Sequence, residues 1–244
     1  MSKIFRYELK RLLWNKFFIA LLIINGLYAW YLLSTDIIAG VAYTAPFSPW
    51  SFGAYVAKTM PISILTLLFF LTFYHSKKEK QVEVLTTATP VNPIHYTLVR
   101  CSTVAICFLI INVLVIGLSV YFYISYFDYR NFTLFIIPAL MILLPCFVFA
   151  IGLGNLVGRI HLGVLYALMP ITLIIGFAGI NSPLDFFGAG YFSNYPISLP
   201  LGADGEPAFI VGTGFLIARM MYLMIGMILL LISIRTYKRK AQKA

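Results

Sequence analysis

The residues of this chain that could do chemistry at membrane depth are few: Lys58, Arg130 and Arg219 on one side of the ledger, Asp36, Asp128 and Asp185 on the other. Each lies inside or beside a strongly apolar stretch. Ionisable groups in such places mark ion paths, proton relays or ligand sites unless they are paired. All three cations map near the outer ends of apolar runs, where a long side chain reaches the interface at little cost. Snorkelling or structural pairing with the three aspartates is therefore the reading. No chain of acids suggests a relay for protons or sodium, so an ion-coupled pump lacks its parts. The rest of the reactive inventory is poor. There is no GxxxxGK[ST] and no Gly-Lys dipeptide, so no P-loop. HExxH and GxSxG are missing. His75, His95 and His161 are far apart, and no nucleophile–base pair presents itself. Cys101, Cys107 and Cys146 read as small buried hydrophobes, with no CxxC or Cys/His metal spacing. The expectation is a chain without catalytic machinery, metal or cofactor of its own.

The elements that must position these residues follow from composition. Of 244 residues, 61% are hydrophobic and 11% charged, and mean hydropathy is +0.92. Soluble domains are about a quarter charged, and a soluble fold of this length cannot hide so much apolar surface. The fold class is all-α integral membrane, a single transmembrane domain over 1–244. A span needs about 20 apolar residues. Six stretches qualify: Phe17–Leu33, Phe52–Tyr74, Thr103–Ile124, Phe132–Leu156, Leu162–Ile180 and Phe215–Ile234. The first follows a long basic segment, and no small-x-small cleavage site comes after it, so it reads as a retained span.

The net charge is +10, and its placement points to topology, with no nucleic-acid partner. Fifteen of the 18 cations fall in Met1–Lys16, His75–Arg100, Gly158–His161 and Arg235–Ala244, segments that six spans put on one side. Cations favour the cytoplasm. Both termini are expected there, in a multi-pass membrane protein.

Two cytoplasmic features stand out. In Met1–Lys16, Phe5, Leu9, Leu12 and Leu13 share one helical arc, and Arg6, Glu8, Lys10 and Arg11 fall mainly outside it. Such a helix can lie in the interface, its basic face near anionic lipid. In the connection 75–100, Gln81–Thr89 is long enough for about two helical turns. Pro90 stops it. Asn92 followed by Pro93 reads as an N-cap and first helical residue that restart the chain as the third span. A short semi-apolar helix at a loop tip suits a partner's groove, and a plain surface connector is the alternative. On the outer side, 181–214 carries Pro183, Pro196, Pro200 and Pro207 together with many apolar residues. It reads as a segment that dips into, or lies on, the outer surface. Gly152, Gly154 and Gly158 mark close helix packing, either within the chain or between subunits.

This layout resembles the permease subunits of bacterial type-2 ABC exporters. The resemblance covers nearly the whole chain. It is carried by the basic YELKRLLWNKFF start, the KKEKQVEVLTTATPVNPIHYTLVR connection and the long apolar outer segment before the last span. It implies that 1–16 is an elbow helix and that 81–89 is a coupling helix. Gln81, Val82, Glu83, Val84, Leu85, Thr86 and Thr87 would dock on a separate ATPase subunit, with Arg159 in a second, smaller contact. It further implies that 181–214 is a re-entrant outer hairpin. ATP and Mg would be bound by the partner subunit, and a second permease copy or paralogue would complete about twelve spans, as in the family (two sets of six).

In that family the first, second and fifth spans line the path. Here they offer the aromatic residues Tyr28, Tyr31, Tyr55, Phe69, Phe73 and Phe177, with few fixed charges. Such a path suits hydrophobic or amphipathic cargo, such as a lantibiotic, a cytolytic peptide or a drug, and the small exporters for lantibiotic immunity and phenol-soluble modulins resemble this chain in size. The alternative is that these rings only pack against helices or lipid. A non-transporting membrane scaffold or a secondary carrier are the other functional classes; no internal repeat supports the carrier.

Overall fold

The structure is a computed structural model that describes residues 2–76, 79, 81, 93–178, 184–202 and 205–241. Helices dominate. Helix α1 is Ser2–Leu13 and α2 is Lys16–Leu32, extended by a π turn, Leu33–Ile37. Then come α3 (Pro49–Tyr74), α4 (Pro93–Phe127), α5 (Ile136–Ile160), α6 (Leu162–Phe177), the short α7 (Ala189–Asn194) and α8 (Thr213–Ala241). Five helices among the described residues are long and apolar enough to cross a membrane: Lys16–Ile37, Pro49–Tyr74, His95–Phe127, Thr133–Ile160 and Thr213–Arg235. This is the architecture of a multi-pass membrane protein. Helix α6 has 16 residues, about 24 Å of rise against a hydrocarbon core of about 30 Å.

Local sequence sets the breaks. Asn15 separates α1 from α2, its side chain accepting from Phe17 N–H at 3.1 Å. Ser48 caps α3 through Ser51 N–H, with Pro49 as the first helical residue. The third long helix begins at Pro93, where the sequence places a start; Asn92 lies outside the described residues. His161 drops to an extended conformation between α5 and α6 and caps the latter through Gly163 N–H.

Helix α3 is the centre of the bundle: 72% of its most apolar stretch is buried, against 28% for α2 and 22% for α8. The outer helices thus leave wide apolar faces for lipid or another subunit. Buried polar side chains tie the spans together. Asn25 Nδ2 donates to Leu21 O and Thr66 Oγ1, and Ser63 Oγ donates to Asn25 Oδ1, linking α2 to α3. Helices α5 and α8 cross backbone to backbone: a Cβ on Gly152 would strike Gly226 O, and one on Gly226 would strike the backbone of Val148 and Phe149. Gly154 and Gly158 meet Leu68, Leu71 and His75. Gly152, Gly154 and Gly158 therefore all serve packing within the chain.

The segment before α8 folds onto the start of α3. Phe192 fills the space beside Gly53, and Trp50 lies among Tyr191, Phe192, Tyr195 and Phe209. Tyr191 stacks on Phe215, with centroids 3.9 Å apart. Burial holds the Tyr191 hydroxyl up at about 12, while it accepts from Gly212 N–H.

Candidate functional site

Two constellations of polar residues sit at opposite ends of the bundle. The first is a cleft of about 380 Å³ where α2, α3, α6 and α7 converge. The π turn at the end of α2 presents Asp36 toward α3, and Lys58 Nζ donates to Asp36 Oδ2 at 3.0 Å. Thr35 Oγ1 lies 3.3 Å from Asp36 Oδ1. The Tyr28 and Phe177 rings meet edge to face at 6.3 Å and form an aromatic wall. Gly176, Ala189 and Gly190 keep the floor free of bulk, and Ser193 and Asn194 add polar groups. The arrangement can bind an apolar chain with a polar end.

The second constellation joins three segments at the other end. Glu79 lies between two arginines: its Oε1 is 2.6 Å from Arg11 on α1, and its Oε2 is 2.5 Å from Arg100 on α4. Arg100 also donates to the Tyr96 hydroxyl at 2.7 Å and stands over the Tyr74 and Tyr96 rings. Tyr74 shares a hydrogen bond with Thr103 at 2.7 Å. Arg11 reaches back to Glu8 at 3.4 Å. Glu8 differs from its sequence reading. Read there among residues outside the apolar arc, it is buried, 3% exposed, and the exposed side of α1 carries Arg6, Tyr7 and Lys10. Desolvation raises its carboxyl above the ordinary value, more strongly than Arg11 lowers it.

Of the residues expected to dock a partner, Gln81 is described and exposed, whereas Val82, Glu83, Val84, Leu85, Thr86 and Thr87 lie outside the described residues. Arg159 turns inward: its guanidinium donates to Ser233 O on α8 and, at 3.4 Å, to Thr97 on α4. Of the expected path residues, Tyr28 and Phe177 come together in the cleft. Tyr55 is enclosed in the core, donating to Val115 O at 2.8 Å. Phe69 and Phe73 gather around Phe17, and Tyr31 is exposed on the outside of α2.

The isolated charges are paired. Lys58 takes Asp36, and Arg130 takes Asp128 at 3.0 Å in the open. Arg219 is buried and donates to the carbonyls of Asp185 and Phe186 while stacking over Phe215. The Asp185 carboxylate turns the other way and caps Phe187 and Gly190 N–H. Glu79 and Ser193 were not singled out from the sequence as site residues. The one available signal for Glu79 was a lone acid among Lys77, Lys78 and Lys80. Among the described residues, no three His, Cys, Asp or Glu side chains converge as a metal site. No family model, curated protein or solved structure matches the chain.

Proposed function

We propose that the chain is the membrane subunit of an ATP-driven exporter, resembling type-2 ABC permeases, that moves hydrophobic or amphipathic cargo out of a bacterial cell. In this reading α6 is the fifth of six spans, its short length met by local thinning or by neighbouring helices. Both termini are cytoplasmic, and α1 is the elbow. A separate ATPase subunit binds ATP and Mg and docks on 81–89. Two permeases form the working unit.

The observation that carries the reading is the clasp on Glu79. It ties the elbow helix to the residue just before the 80–92 connection and to Arg100, just after it. A pull on that connection would be felt at once by α1, α3 and α4. Closure of the ATPase pair on ATP would drag the connection, pivot α3 against α4 and change the outer path. The work comes from the different nucleotide affinity of the two states. The experiment is purification of the tagged chain from its native membrane in mild detergent. An ATPase subunit should elute with it in constant ratio. Hydrolysis by the isolated chain, or a protease-accessible terminus outside intact cells, contradicts the reading.

A further inference from the structure

The cleft has unspent hydrogen-bonding capacity on Lys58 and Ser193. An ammonium carries three N–H donors, and among the described residues Lys58 uses one, toward Asp36. Its side chain is 29% exposed, so the remaining donors are reachable from the cleft. Ser193 Oγ lines the same space, buried and without a partner among the described residues. Asp36 places one oxygen on Lys58 and the other beside Thr35, and its side chain is 41% exposed. The free Lys58 donors and the Ser193 hydroxyl together suit an acceptor. Beside it, Leu32, Tyr28 and Phe177 supply an apolar wall. The volume, about 380 Å³, is near the lower end of small-ligand pockets and admits one chain end, too small for a whole folded peptide.

We infer that this cleft binds the anionic head of an amphiphile, a carboxylate or phosphate held by Lys58 and Ser193 with its apolar chain laid against Tyr28 and Phe177. The inference rests on the reading of α2, α3 and α6 as path-lining helices and narrows the cargo of that path to single-headed anionic amphiphiles. Asp36 acts as the internal occupant: it holds Lys58 in place and is the anion against which the ligand competes. Removing Asp36 should therefore tighten binding, whereas removing Lys58 should abolish it. A merely structural ion pair would lose from both changes alike.

The test is binding of dodecanoate to the purified full chain in phosphatidylcholine nanodiscs, by calorimetry, without any ATPase present. Dodecanol and dodecyltrimethylammonium are the neutral and cationic comparisons. Dodecanoate should bind at least about tenfold tighter than either, the worth of one charge-assisted hydrogen bond. K58Q should lose that advantage, K58R should keep most of it, and D36N should bind several-fold tighter. Displacement by phosphatidylglycerol assigns the site to a bilayer lipid; no displacement assigns it to a free carboxylate amphiphile. Equal affinity for all three probes, or dodecanoate binding unchanged in K58Q, overturns the inference. Loss of the cleft on these grounds leaves ATPase co-purification untouched, and absence of an ATPase leaves dodecanoate binding untouched, so the two failures are distinct.

Discussion

Arg11 and Arg100 grip opposite oxygens of one carboxylate, that of Glu79, at 2.6 and 2.5 Å. The Arg100 and Glu79 side chains are 11% and 12% exposed, and that of Arg11 32%, so the inner bond is the stronger of the two. E79Q removes the charge and keeps the shape. It should lower the stability of the bundle by about 1–3 kcal/mol, the worth of a hydrogen bond to a charged group. R11Q should cost less, because its partner contact is more wetted. Urea or SDS titration followed by tyrosine fluorescence would check both. An equal loss from R11Q and E79Q would contradict the ranking.

Glu8 makes the docking of α1 sensitive to pH. Burial raises its carboxyl above the ordinary 4.5, so the docked helix holds the proton more tightly than the released one. Stability from this group is fully present below about 4.5 and is lost as pH rises through the raised value. Hydrogen exchange of α1 should therefore slow as pH falls across that window, after correction for intrinsic exchange. E8Q should flatten the dependence and dock at neutral pH at least as tightly as the parent. A dependence equal in E8Q assigns it to another group.

At the α5–α8 crossing a side chain has nowhere to go. G226V meets the backbone of Val148 and Phe149 and should cost about 1–3 kcal/mol or more through forced separation. Gly117 on α4 faces nothing within 4 Å of an added Cβ, and G117A should be neutral. Thermal unfolding in detergent distinguishes them. A tolerant G226V would place the crossing elsewhere.

The outer segment hangs from α8 by Arg219 and Tyr222, whose side chains donate to the carbonyls of Leu184, Asp185 and Phe186. R219L leaves the Asp185 and Phe186 carbonyls without their cation. Protease nicking within 184–212 should rise several-fold, with R219K intermediate because a point charge replaces a fork. Unchanged nicking in R219L would mean that the aromatic packing around Trp50 suffices to hold the segment.

Much of this was legible in the residues. Hydropathy located α2, α3 and α5 within a few residues of their ends, whereas α4 begins well before the expected Thr103 and α8 runs past Ile234 to Ala241; Pro93 was readable as the start of α4. The two sets of isolated charges were readable as future partners, but their geometry was not. Arg219 reaches Asp185 through its carbonyl because the carboxylate is already spent on Phe187 and Gly190 N–H. Glu8 shows the limit most clearly. On an isolated helix it belongs to the polar side; the neighbouring α4 and Arg11 make it a buried group. The cleft was half legible, through Tyr28 and Phe177. Ser193 and Asn194 enter it only because the outer segment folds back across α3, a contact between residues more than a hundred positions apart.

The central claim is that energy reaches the bundle through the 81–89 connection. It is tested most directly by measuring ATP hydrolysis and cargo release together, in vesicles holding the permease with its ATPase. Substituting Glu83 or Leu85 by alanine should leave the chain folded and hydrolysis running while release falls to background. Release at the wild-type rate in both variants would contradict the account.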